Sequence, residues 1–169
     1  MCGIVGYIGP RPLVDTLIRG LKQLEYRGYD SAGLAVLDEN RIRILKEKGK
    51  VNDLQELVRK HWPEIKNSDT HVGIAHTRWA THGTPTQINA HPHLDDSQKF
   101  AVVHNGIIEN YASLRENLTS LGHKFISDTD SEVIAHLISE MYEGNFLKAV
   151  AAAIKQLQGT FGIAVIAKD

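Results

Sequence analysis

The chain has one cysteine, Cys2, so no disulfide can form within it, and a reducing compartment is expected. It has no run of ~18 or more apolar residues, so no membrane-spanning helix is expected. No charged leader precedes an apolar stretch, so no export signal is expected, and the cytoplasm is the expected location. Neither sign of charge dominates: 19 basic and 20 acidic residues leave a net charge of −1, with no basic run. Nucleic acid and anionic membranes are therefore not expected partners. Repeats, linkers and low-complexity segments are missing too, which predicts one domain over residues 1–169.

What is present supports a buried core: 42% of residues are hydrophobic and 23% charged. Residues 2–8 read as a strand, and apolar residues at helical spacing over 12–26 predict an amphipathic helix stopped by Gly28. Strands at 32–37 and 41–46 flank a three-residue hairpin loop, Asp38-Glu39-Asn40. Asn52 is the expected cap of the next helix, with Gln55 three residues on. A strand at 71–77 leads into a long aperiodic segment, 78–98, of a length that is usually functional or disordered, and Trp79 with four histidines between 76 and 93 argues against disorder. Residues 99–104 form a strand ended by Asn105-Gly106, Asn110 caps a helix, and Phe125-Ile126 is a short strand. Two further helices, begun by Asp130 or Ser131 and by Asn145, precede an almost wholly apolar strand, 160–167. Such a strand is expected to have partners on both edges. Paired helices and hairpin-like strands favour layered α+β over a doubly wound parallel sheet.

Four stretches carry candidate chemistry. If Met1 is removed, the Cys2 thiol shares a residue with a free α-amine, pairing a nucleophile with an adjacent base. Taken alone, a buried inert cysteine is the commoner explanation. Arg78, in His76-Thr77-Arg78-Trp79, can grip a carboxylate through two N–H groups, although a surface ion pair would explain it as well. The Asn105 amide and Gly106 N–H suit a developing oxyanion, against a plain Asn-Gly turn. Carboxylates in residues 127–132 sit at a helix start, where ordinary capping accounts for much of the pattern. His91-Pro92-His93 with Asp95 raises the question of zinc, but the intervening proline is awkward for a shared ion.

Taken as a set, CGIVG at 2–6, LEYRGYDSAG at 24–33, HTRWATHG at 76–83, NAHPH at 89–93, HNGIIEN at 104–110 and TDSEVIAHL at 129–137 resemble the class II glutamine amidotransferases. These are N-terminal nucleophile hydrolases. The tryptophan-containing and tyrosine-rich motifs look like the branch that aminates a sugar phosphate. The resemblance implies a four-layer αββα sandwich of two antiparallel sheets, truncated at its C-terminus, with a sugar-phosphate isomerase domain absent. It implies that Cys2 attacks the side-chain amide of L-glutamine and that Asn105 and Gly106 hold the oxyanion. Arg78 and Asp130 would bind the two ends of the amino acid. Trp79, Thr81 and His82 would lie on a closing loop, Trp79 would also gate ammonia, and Arg27 would organise the site. No cofactor and no metal are implied, and the full-length enzyme would be a homo-oligomer making glucosamine 6-phosphate from fructose 6-phosphate. A purine-branch glutaminase, or a non-catalytic glutamine- or metal-binding module, is the alternative.

Overall fold

The computed structural model describes residues 2–63, 70–80 and 83–168. Its strands are β1 (Gly3–Ile8), β2 (Ser31–Asp38), β3 (Arg41–Lys48), β4 (Val72–Arg78), β5 (His93–Leu94), β6 (Phe100–Ile108) and β7 (Gly159–Ala167). The helices are α1 (Leu13–Leu24), α2 (Val51–His61), α3 (Tyr111–Ser120), α4 (Glu132–Glu140) and α5 (Phe146–Ile154). Two antiparallel sheets result, ordered β1-β4-β2-β3 and β5-β6-β7.

Alternation along the strands sorts these elements into layers. On β2, Ala32, Leu34 and Val36 turn toward Leu17 and Leu21 of α1 and Leu54 of α2. Ala35 and Leu37, one residue out of phase, turn the other way and meet Ala101 and Val103 of β6 and Ile166 of β7. On β6, Phe100, Val102 and Ile108 turn toward Leu118, Ile134 and Ala149 of the second helical layer. A strand buried on both faces needs a layer on each side, and here that gives the αββα sandwich. Fully buried Leu17, Leu21, Leu34 and Leu54 each contribute ~1.5–3 kcal/mol relative to exposure.

Several local expectations are corrected. The β2–β3 loop has two residues, Glu39 (φ 43°) and Asn40 (φ 65°), because Asp38 still pairs with Arg41. Paired positive φ values in a two-residue loop match the right-handed twist of a hairpin. Helix α2 starts at Val51, and Asp53 accepts the Lys50 N–H at 2.7 Å, so Asn52 is not its cap. Asn110 does stand at the start of α3, but its side chain bonds Gln156 O and Gln158 N across the sheet end. Asn145 caps α5 as expected, accepting from Lys148 N at 3.0 Å. Phe125-Ile126 is not a strand. Among the described residues β7 pairs only with β6. Its apolarity comes from lying between layers, with Phe161, Ile163 and Val165 under the helices and Ala164 and Ile166 between the sheets.

One glycine fixes how closely the long segment after β4 lies on the first sheet. A Cβ on Gly33 of β2 would stand 2.1 Å from the carbonyl oxygen of His91 and 3.0 Å from that of Leu45. The Leu45 carbonyl is held in the β2–β3 ladder, and the His91 backbone is held by the buried contacts of its ring with His76 and His104. Gly33→Ala is therefore expected to lower stability by ~3 kcal/mol or more, read as the midpoint of urea unfolding. An unchanged midpoint would show that the two backbones separate freely.

Candidate active site

The strand alternation that builds the inter-sheet layer also aims functional side chains into it. Cys2 directly precedes β1 and is in phase with Ile4, which packs between the sheets. His76 and Arg78 are in phase with Ile74 on β4, and Asn105 with Val103 on β6. These side chains meet where the sheets open into a cleft of about 690 Å³. Cys2, Arg27, Arg78, Trp79, Asn105, Gly106 and Asp130 all line it. Two predicted residues, Thr81 and His82, lie outside the described residues.

The thiol is held by a backbone group. Sγ of Cys2 accepts the Trp79 N–H at 3.2 Å and faces the Trp79 carbonyl at 3.6 Å. The Trp79 indole is 54% exposed and lies on Gly28, where a Cβ would stand 2.6 Å from the ring. Gly28 has φ 73°, so a side chain there would be both strained and in collision. Arg27, next to it, is exposed at the cleft and stacks on Tyr26. Asp30 accepts the Ala80 N–H and donates its own N–H to Arg78 O at 2.7 Å, pinning the strand exit that carries Trp79.

Asn105 sits within β6, not at a turn. The strand continues through Gly106, which pairs with Phe161 at φ 133°. A Cβ there would stand 2.1 Å from Thr160 O, so the strand passes only because the residue is glycine. The Asn105 Nδ2 donates to Cys2 O at 3.4 Å, and its Oδ1 lies 2.8 Å from His76 Nε2. With Nε2–H as donor, His76 fixes which end of the amide faces Cys2. The sequence gives no signal for this partner, because positions 76 and 105 are brought to facing sides of the two sheets only by the fold.

Arg78 is only 4% exposed. It donates to Gly83 O at 3.1 Å and Thr84 O at 3.4 Å, with Asp30 at 4.0 Å. Its guanidinium thus orders the segment after β4 while lining the cleft. Opposite in charge, Asp130 is 3% exposed and accepts the Ile108 N–H at 2.9 Å, joining the end of β6 to the start of α4.

Beneath the cleft lie four buried histidines. His76 and His91 stack with centroids 4.2 Å apart, and His91 meets His93 edge-on at 4.7 Å. His91 Nδ1 accepts the His104 N–H, His104 Nδ1 bonds Ser131 Oγ at 2.8 Å, and His93 Nε2 bonds Thr129 Oγ1 at 3.1 Å. Burial pushes the His76 pKa down to about 4, against the hydrogen bond it donates to Asn105 Oδ1, which works the other way. Burial also lowers His91, His93 and His104, the last opposed by Asp130. All four are neutral at pH 7. His91 and His93 thus tie the segment after β4 to β6 and to the start of α4.

Comparison with known proteins adds the following. The model of the glutamine amidotransferase domain family matches residues 76–169, more than half of the chain. A glutamine–fructose-6-phosphate aminotransferase [isomerizing] of Thermosynechococcus vestitus is 52% identical over 100% of this chain and 27% of its own length. The protein of the same name in Aquifex aeolicus is also 52% identical, over 98% of this chain and 27% of its length. The chain thus spans about a quarter of the curated relatives it matches. Among solved structures, the allosteric regulatory enzyme of purine biosynthesis superposes with a TM-score of 0.83 at 24% identity, covering 99% of this chain and 36% of that one. Glutamine phosphoribosylpyrophosphate amidotransferase from B. subtilis gives 0.74 at 23%, covering 99% and 35%. At those identities the two share the fold.

The neutral histidines set a pH dependence. Their folded pKa values lie below the unfolded value of ~6.5, so the unfolded chain binds more protons between the two. Stability from this cluster is complete above pH ~6.5 and falls as pH drops toward 4. Urea midpoints should therefore decline steeply from pH 6.5 to 4.5. A midpoint that stays level across that range would mean the rings are already charged in the fold.

Proposed function

Because the chain belongs to the glutamine amidotransferase domain family, we propose that it hydrolyses the side-chain amide of L-glutamine through a Cys2 thioester. The observation that carries this reading is the placement of Cys2 Sγ and the Asn105 amide at one end of the inter-sheet cleft, with Asn105 oriented from behind by His76.

Removal of Met1 frees the Cys2 α-amine, which takes the thiol proton. Sγ attacks the glutamine amide carbon, and the electron pair of the C=O moves onto oxygen. Asn105 Nδ2–H and Gly106 N–H stabilise that oxyanion. As the tetrahedral centre collapses, the ammonium gives its proton to the departing nitrogen and ammonia leaves. Water then cleaves the thioester to glutamate and regenerates the thiol. Arg78 and Asp130 hold the substrate carboxylate and ammonium, while Trp79, Arg27 and, outside the described residues, Thr81 and His82 close the site.

In the longer protein, ammonia passes to a sugar-phosphate isomerase domain that converts fructose 6-phosphate to glucosamine 6-phosphate. Support for this branch over a purine one is the 52% identity to glutamine–fructose-6-phosphate aminotransferases, against 24% to the purine enzyme whose fold it shares. No helix among the described residues is long and apolar enough to cross a membrane.

The test joins intact mass to turnover. Protein lacking Met1 should convert glutamine to glutamate, and protein retaining it should not. Cys2→Ala should bind glutamine without releasing glutamate. Asn105→Ala should lower kcat by ~10²–10³ with a small change in KM. Equal glutamate release from Cys2→Ala and the unaltered chain would sink the thioester mechanism.

A further inference from the structure

Away from the cleft, three side chains from three segments turn their ligand atoms toward one another. Asp96 lies in the turn between β5 and β6, His123 follows α3, and His136 is on α4. We propose that Asp96, His123 and His136 bind a divalent transition-metal ion of the zinc type, through two imidazole Nδ1 atoms and a carboxylate oxygen, with water as the fourth ligand.

Three observations support the site. The first is spacing: the two Nδ1 atoms are 3.2 Å apart, and Asp96 Oδ2 lies 3.6 Å and 3.8 Å from them. Tetrahedral bonds of ~2.0–2.1 Å place neighbouring ligand atoms about 3.3 Å apart, so only the exposed carboxylate has to close by a few tenths of an ångström.

The second is what stands behind each ring. His123 Nε2 donates to Glu140 Oε2 at 3.0 Å, while Glu132 Oε1 stands 3.6 Å from His136 Nε2, in ion-pair range and outside hydrogen-bond reach. On His123 that carboxylate puts the proton on the outer nitrogen and leaves the Nδ1 lone pair directed inward, as behind metal-bound histidines generally. Glu132, His136 and Glu140 are spaced by four on α4, so one helix face supplies a ligand flanked by both supporting carboxylates.

The third is what the arrangement leaves unmet. Two facing imidazole nitrogens can share one proton, and Asp96 Oδ2 is beyond hydrogen-bond reach of either ring. Among the described residues that oxygen accepts the Lys124 N–H, at 3.0 Å. An ion would engage both rings and the carboxylate at once. Two nitrogens and one oxygen favour zinc over magnesium or calcium, which take oxygen ligands. It would clamp the β5–β6 turn and the segment after α3 onto α4, the helix whose start follows Asp130 and Ser131. The site lies outside the metal-free glutaminase expectation and does not depend on that activity.

The experiment strips the chain with chelator and titrates Co²⁺, followed by its tetrahedral absorption bands, and Zn²⁺ by calorimetry. The expected result is one ion per chain and a Tm raised by Zn²⁺. Asp96→Asn and His123→Ala, both outside the apolar cores, should weaken binding at least ~10-fold and lose the Tm response. Cys2→Ala should bind as the unaltered chain does, since the thiol is elsewhere. No uptake by the unaltered chain, equal uptake by both variants, or loss of uptake in Cys2→Ala would each overturn the assignment.

Discussion

The contact between His76 Nε2 and Asn105 Oδ1, 2.8 Å across the sheet interface, constrains the rest of the site. An amide half-buried where the sheets meet is oriented by the partners of its two ends. One end goes to an imidazole that burial keeps neutral, which leaves the other for the cysteine side of the cleft. A charged histidine there would offer the same Nε2–H but cost far more to bury. Below His76 the stacked ring of His91, itself tied to the His104 backbone, keeps the imidazole from rotating. Orientation of one donor thus rests on a column of aromatic nitrogen heterocycles reaching into the second helical layer.

Much of the fold was legible because apolar spacing is a direct readout of layers. The helices α1 and α5 and the strands β1 and β4 appear where their periods place them. Edges were not legible: β7 reads as apolar on both faces, and faces report layers above and below, not neighbours alongside. Dipeptide signals also misled at Asn105-Gly106, where a turn signature sits inside a continuous strand. There the glycine serves close approach to Thr160 and not chain reversal.

The candidate site was legible in a different way. Cys2, Arg78 and Asn105 stand out by residue chemistry, resemblance of whole motifs adds Asp130 and gives each a role, and the cleft gathers all four. His76 and His104 have no role legible in the sequence, because a buried neutral histidine takes its meaning from a partner distant in sequence. His76 finds Asn105 29 positions on, and His104 finds Ser131 27 positions on. His123 and His136 carried no signal for the same reason: their common neighbour Asp96 comes from another turn.

The contacts that hold Cys2 run through its Sγ and its carbonyl oxygen. Ends of chains ordinarily fray, yet this one is stitched to β4 from Gly3 onward. In the mechanism proposed, the nucleophile would consequently be seated before its amine is liberated. Folding and activation would then be separable events, the thiol waiting in place until a peptide-bond cleavage that asks nothing further of the fold.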